Sequence, residues 1–264
     1  MSPGCREGPS ARLIAKLSNF TRLTAHEADL LNELGRVELQ FAADTDIVEE
    51  GETASAIYLI KEGFACRYRL LPEGSRQIVS FLLPGDLCDV TSLLGRPMDH
   101  SIGTLTTTRV AVIAPDTLSD LLRREHRIAA ALWWSNLQDE AMLRERIVAL
   151  GRRNAHGRIA YLLCELLWRH EAVGLSQDGT VDLPLTQAEL GDALGLTPVH
   201  VSRVLKQFRD EGFIELVHHR LTIRDLARLQ RIAGFNSAYL QLRTTPWDGD
   251  PGAAGAAAHQ KPGF

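Results

Sequence analysis

The side chains best suited to chemistry lie in one short stretch, LTPVHVSRVLKQFRD, from Leu196 to Asp210. If it is a helix, with about 100° between residues, Val199, Arg203 and Lys206 point the same way, and His200 and Ser202 flank them. This set suits recognition rather than bond-making. Arg can give a two-pronged hydrogen bond to a guanine edge, Lys a point charge to a phosphate, and Val a methyl surface to thymine. The opposite face carries Val201, Val204, Leu205 and Phe208. Their i, i+3, i+4, i+7 spacing predicts that they pack inward.

Two elements must hold that face out. Thr186 and Glu189 have the T-x-x-E spacing of a capping box, which starts a helix by satisfying free backbone N–H groups. Leu190, Ala193 and Leu194 give this first helix its apolar side, and Gly195 can take the positive φ that ends it in a tight turn. Thr197 is placed to cap the second helix, Pro198 fits its first turn, and Gly212 is placed to stop it. Beyond it, Phe213–Val217 and Leu221–Ile223 flank a polar His218-His219-Arg220 tip, which reads as a β-hairpin wing. An ordinary αα-hairpin with a solvated polar face shares the periodicity. Agreement of caps, turn glycine and inward apolar set favours a helix-turn-helix.

The segment resembles the C-terminal winged helix-turn-helix of the Crp/Fnr superfamily of bacterial transcription regulators. Thr186, Glu189, Leu190, Gly195, Thr197, Val201, Ser202, Arg203, Leu205, Gly212, Ile214 and Ile223 carry the likeness. By organisation it extends more weakly over 14–226. The resemblance implies an α+β fold with three parts. These are an N-terminal jelly-roll-like, cyclic-nucleotide-binding-like β-roll sensor at 13–126, a long dimerisation helix at 127–151, and the winged helix-turn-helix at 152–228. It also implies a sequence-specific DNA-binding regulator, not an enzyme. Such a protein acts in the cytoplasm as a homodimer on palindromic double-stranded DNA, with RNA polymerase as a candidate partner. Thr186, Gln187, Thr197, Val199, His200, Ser202, Arg203 and Lys206 then form the DNA-contact set, with His218, His219 and Arg220 on the wing. Arg203 falls where the family's Ser-Arg pair reads guanine. Val199 falls where many relatives carry a glutamate.

The rest of the chain agrees with that division. Leu13–Leu17 and Ala25–Leu34 read as short helices, the second capped by Thr24. From Gly35 to Ala114 the pattern changes to period two: Phe64, Cys66, Tyr68 and Leu70 alternate with Ala65, Arg67 and Arg69 as in a half-buried strand. Turn glycines at Gly51, Gly63, Gly74, Gly85 and Gly95 divide it into short strands. Thr117–Arg124 predicts a short helix. Arg127 to about Leu150 predicts a rod of roughly 35 Å that stops at Gly151. Its apolar residues form two stripes, Leu132, Leu143, Ile147 and Leu150, and Trp133, Leu137 and Val148. One would cover the β-roll and the other meet a second subunit. His156–His170 is a further amphipathic helix, Gly174–Leu183 a loop, and Leu226–Ala233 a helix extending towards Leu242. The Gly/Ala-rich tail at 246–264 is expected to be disordered.

Composition removes other classes. No run of eighteen apolar residues exists, which argues against a membrane span, and the N-terminus lacks an apolar signal core. Cys5, Cys66, Cys88 and Cys164 form neither a disulfide framework nor a zinc pattern. Residues 1–151 carry 16 Lys/Arg against 21 Asp/Glu, and residues 152–245 carry 12 against 10, so the helix-turn-helix half is the less repelled by phosphate.

The resemblance places an effector pocket at Cys88, Asp89, Val90, His100 and Ser101. Relatives that bind cAMP use a Gly-Glu pair for the ribose and an Arg-Ser pair for the phosphate. Aligned on Gly85-Asp86, this chain has Asp89-Val90 and His100-Ser101 there. Valine cannot accept a hydroxyl proton, and histidine lacks the charged fork of arginine, so cAMP is not expected. An iron–sulfur cluster of the family's type has too few N-terminal cysteines. Haem is left open, with His26, His100, His126 and His156 as candidates and no motif choosing among them. A haem- or redox-responsive regulator of the same fold is one alternative, and a helix-turn-helix that binds protein is another. A cupin-type enzyme needs several histidines on the β-region, which has His100 alone. No metal site is expected.

Overall fold

The computed structural model describes residues 8–240 apart from Asp89. The expected tail at 246–264, Cys5 and Asp89 therefore lie outside the described residues. The chain opens with α1 (Ala11–Ser18) and α2 (Ala25–Leu34). The cap expected at Thr24 is a full capping box: its hydroxyl accepts from the Glu27 amide, and the Glu27 carboxylate accepts from the Thr24 amide.

Seven short strands follow: β1 (Glu38–Phe41), β2 (Asp46–Val48), β3 (Ile57–Glu62), β4 (Ala65–Leu70), β5 (Arg76–Leu82), β6 (Ser101–Thr104) and β7 (Thr108–Ile113). They form two antiparallel sheets, ordered β1-β7-β3 and β2-β6-β4-β5. Ile47, Val48, Ile60, Ala65, Leu82, Ile102 and Val110 fill the space between them. This is the expected jelly-roll-like layering.

Both sheets are covered on their outer faces as well. Leu13, Ile14 and Leu17 of α1 and Leu31 of α2 pack with Ile57, Leu59, Ala111 and Ile113. Cys66, Tyr68, Ile78 and Phe81 on the other sheet join the core of the C-terminal region. The half-buried strand read at 64–70 is thus corrected. Ala65 is fully buried between the sheets, Cys66 is buried outside them, and Leu70 is exposed near the hairpin tip. The register shifts between Arg67 and Tyr68.

After α3 (Pro115–Arg124), α4 runs from His126 to Arg152, a rod of 27 residues and about 40 Å that carries on past Gly151. Its inward face is made of Ile128, Ala131, Leu132, Ser135, Gln138, Ala141, Met142 and Ala149. Of the first expected stripe only Leu132 is buried. Leu143 and Ile147 face outward with Trp133 and Val148. Small residues let α4 pack closely on α1 and α3, and they carry no hydropathy signal of their own. Among the described residues no helix is long and apolar enough to cross a membrane.

The C-terminal region comprises α5 (Ala155–Ala172), β8 (Thr180–Asp182), α6 (Gln187–Leu194), α7 (Pro198–Asp210), β9 (Ile214–Val217), β10 (Arg220–Ile223) and α8 (Leu226–Ala233). Gly234, at φ 58°, ends α8, and a separate 3-10 turn at Ser237–Leu240 replaces the expected extension of that helix. The stretch read as a loop at 174–183 contains β8, which pairs with β10 and gives the wing a third strand. Three residues are too few to show a period.

Candidate nucleic-acid interface

Local hydrogen bonding builds the α6–α7 unit as its sequence requires. The Thr186 hydroxyl accepts from the Glu189 amide at 3.2 Å, and the Glu189 carboxylate accepts from the Thr186 amide at 2.6 Å. Such a cap stabilises by about 1 kcal/mol. Gly195, at φ 61°, turns the chain. The Thr197 hydroxyl accepts from the His200 amide at 3.3 Å, and Pro198 stands at the first helical position of α7.

One determinant escaped the sequence reading. A Cβ on Gly191 would lie 2.4 Å from the Leu196 carbonyl oxygen. The turn folds back over α6 so closely that only a glycine fits there. The available signal was a glycine inside a helical pattern, four residues before the turn glycine.

The two faces of α7 separate as expected. Val201, Val204, Leu205 and Phe208 are buried, each contributing about 1.5–3 kcal/mol. Val199 is 68% exposed. His200, Arg203 and Lys206 are exposed and Ser202 is half-buried beside them. Thr186 and Gln187 are exposed at the start of α6, and Thr197 at the turn. His218 and His219, at φ 48° and 60°, form the two-residue tip between β9 and β10, and they are exposed together with Arg220. The conformation matches the hairpin turns that need positive φ twice. The sequence reading also left out the neighbour of this face on α5: His156 Nε2 lies 2.7 Å from Gln207 Oε1, and its ring meets Phe208 edge-on. A surface of Arg, Lys and His around one exposed methyl cluster can neutralise phosphates and read base edges.

The effector set is brought together only in part. Val90 and His100 line a cavity of about 510 Å³ between the β-roll and α4. The His100 ring nitrogen Nδ1 is 2.7 Å from Asp99 Oδ1. Cys88 instead packs in the core between the sheets, and the Ser101 hydroxyl accepts from the Glu50 amide at 2.9 Å; neither lines the cavity. In their place come Lys16, Arg67, Arg69 and Asp139. The alternation of β4 had assigned Arg67 and Arg69 only to its non-core face. Arg67 donates to the Cys88 carbonyl at 2.8 Å, to the Leu87 carbonyl at 3.1 Å and to Asp139 at 3.2 Å.

The candidate histidines stay apart. His26 and His126 are exposed, and His156 serves α7. Among the described residues no three His, Cys, Asp or Glu converge to hold a metal ion. Cys66, Cys88 and Cys164 are buried. Burial pushes the Cys66 and Cys164 thiols up to about 12, which makes them poor nucleophiles at neutral pH.

Comparison with known proteins agrees with this geometry over both halves. The family model "Crp-like helix-turn-helix domain" matches residues 157–232, and "Cyclic nucleotide-binding domain" matches residues 38–125. The nitrogen fixation regulation protein FixK of Bradyrhizobium diazoefficiens is 32% identical over 219 residues, which cover 80% of this chain and 87% of that protein. An anaerobic regulatory protein of Haemophilus influenzae is 28% identical over 241 residues, covering 91% and 93%. Among solved structures, FixK2 from Bradyrhizobium japonicum aligns with a TM-score of 0.67 at 28% identity, covering 76% of this chain and 98% of that one. A CRP-family transcriptional regulator from Thermus thermophilus aligns at 0.58 and 26% identity, covering 78% and 100%.

Proposed function

This chain belongs to the Crp/Fnr superfamily of DNA-binding transcription regulators, not to a family of enzymes, and from that premise we propose that it reads a two-fold symmetric DNA site as a homodimer. The observation that carries this reading is the pairing of two exposed surfaces. One is the α7 face of Val199, Arg203 and Lys206. The other is the outer ridge of α4, with Trp133 69% exposed toward one end, Ile147 71% exposed beside Val148 and Leu143 toward the other, and the Glu140–Arg144 ion pair between them. An apolar ridge of that kind on a soluble helix is the expected mark of a subunit contact.

In this reading Arg203 reads a guanine and Lys206 neutralises a phosphate. Thr186, Gln187, Thr197, His200 and Ser202 position the unit on the backbone, and His218, His219 and Arg220 of the wing contact neighbouring phosphates. Half-sites then lie about 34–36 Å apart, one helical turn. The cavity at Val90 and His100 is the effector site, and it is not built for cAMP. The protein works in the cytoplasm, with RNA polymerase as the partner that turns binding into regulation.

Selection from random DNA followed by footprinting tests this. A palindrome with half-sites one turn apart is expected. Selection of an unpaired half-site, or no retardation of DNA at low salt, would sink the proposal; the latter would favour a protein-binding helix-turn-helix.

A further inference from the structure

A row of charges of alternating sign runs from the β4–α4 cavity into the DNA-binding region. Asp139 of α4 faces Arg67 at 3.2 Å with one oxygen and Lys16 of α1 at 3.9 Å with the other. Lys16 reaches Asp86 of the Gly85 turn at 2.7 Å. The second oxygen of Asp86 takes Arg169 of α5 at 2.7 Å and the Leu83 amide at 2.7 Å. Arg169 also donates to the Phe81 carbonyl at 2.9 Å and lies 3.8 Å from Glu165, which Arg146 approaches at 3.4 Å.

Lys16, Asp86, Glu165 and Arg169 are each at least nine-tenths buried at the side chain. Burial by itself raises the Asp86 carboxyl. Lys16 and then Arg169, with the hydrogen bonds to Lys16 and the Leu83 amide, outweigh it and hold the group well below the usual carboxylate range.

We propose that this row, Arg67–Asp139–Lys16–Asp86–Arg169, couples the cavity to α5, so that Asp139 and Lys16 are positioning residues for the DNA-reading surface. The inference rests on the DNA-binding reading above and gives it a regulatory route.

Three observations carry it. Arg67, Lys16 and Asp139 all line the cavity, so a group that binds there meets one end of the row. The far end is on α5, which packs directly against α7. In addition, both carboxylates are divided between two cations. Asp139, oriented by Arg67, helps to seat Lys16 on Asp86; if Arg67 turns to a ligand, Asp139 loses the cation that orients it and Lys16 loses that support. Buried ion pairs add little net stability over apolar packing, and their best-attested use is to fix one arrangement among several. The arrangement fixed here leaves the α7 face open to solvent, as groove reading requires, and in this proposal it is the DNA-competent one. Loosening the row lowers the competent fraction and with it the apparent affinity.

Asp139→Asn in the full chain tests this. The change keeps the volume, and Asp139 lies only on the α4 side of the row, away from α7. DNA affinity is expected to fall by about fivefold or more, the lower end of common coupling factors. Amide exchange across Leu166–His170 should accelerate. Lys16→Gln should act alike, and the double variant should be no worse than Lys16→Gln alone. Glu62→Gln, which breaks a surface pair with Arg109, is the control and should change neither readout.

An Asp139→Asn affinity within about twofold of wild type overturns the proposal, as do losses that multiply in the double variant. If wild type fails to bind DNA, the functional reading falls. Exchange in α5 then decides the row on its own: unchanged exchange in Asp139→Asn rejects it.

Discussion

Arg76 of β5 holds Asp192 of α6, Nε to Oδ2 at 2.9 Å, so the helix-turn-helix is tied to the outer face of the sensor's own sheet. Both side chains are about one-third exposed, and the guanidinium lies 5.8 Å from the centre of the Tyr68 ring. Arg76→Gln should therefore cost no more than about 1 kcal/mol for the ion pair, in a urea midpoint measured at low salt. The difference should shrink in high salt, because a partly exposed pair is screened. A loss that salt leaves untouched would mean that the stacking on Tyr68, and not the charge pair, ties the two regions.

Arg203→Ala should cost about 1–3 kcal/mol on the selected site and relax preference at one base pair per half-site. Lys206→Ala should weaken all sequences alike and lower the salt slope by about one. Binding titrations at several salt concentrations distinguish the two. Equal losses on specific and random DNA for Arg203→Ala reject the assignment.

Val199 has no acceptor for the exocyclic amine of cytosine or adenine, and its exposure leaves its methyls free for the C5-methyl of thymine. Selection from random DNA should show a weak thymine preference, or none, at the step beside the arginine-read guanine. Val199→Glu should gain a cytosine or adenine partner there by about 1–3 kcal/mol. If wild type already selects that base as strongly as the variant, Val199 does not discriminate.

Ile147→Glu places a charge on the outer ridge of α4 with nothing of its own fold to disturb, since the side chain is 71% exposed. Light scattering should show a monomer at micromolar concentration, and affinity for the palindrome should fall while the melting of each protomer's β-roll is retained. A variant that stays dimeric moves the subunit contact elsewhere.

Val90 offers no acceptor to a ribose hydroxyl, and His100 is engaged with Asp99. Calorimetry with millimolar cAMP should show no specific heat, and DNA affinity should not change. A saturable signal at micromolar cAMP would overturn the reading of the cavity.

The parts legible in the sequence are those made by short-range rules. Thr24–Glu27 and Thr186–Glu189 form their boxes because three residues separate the partners. The buried face of α7 follows from its spacing. The parts that were not legible depend on contacts remote in sequence. Asp86 and Arg169 are 83 positions apart, and no periodicity relates them. Arg67 looks like an ordinary surface cation on an alternating strand until α4 closes over it and Asp139 takes its guanidinium. The inward face of α4 was missed because alanine and serine fit it by size, whereas a hydropathy reading weights leucine and isoleucine.

The 2.4 Å separation between a Cβ on Gly191 and the Leu196 oxygen has a consequence for how such a protein can diverge. The Leu196 carbonyl seats on α6 at Gly191, which fixes where the turn leaves α6 and so where α7 begins. Drift at Val199, His200 or Arg203 can therefore change which operator is read without tilting the reading head, whereas any change at Gly191 alters the tilt for every operator at once. Innovation in target choice is channelled to the exposed positions of one helix, and the scaffold beneath them is held still.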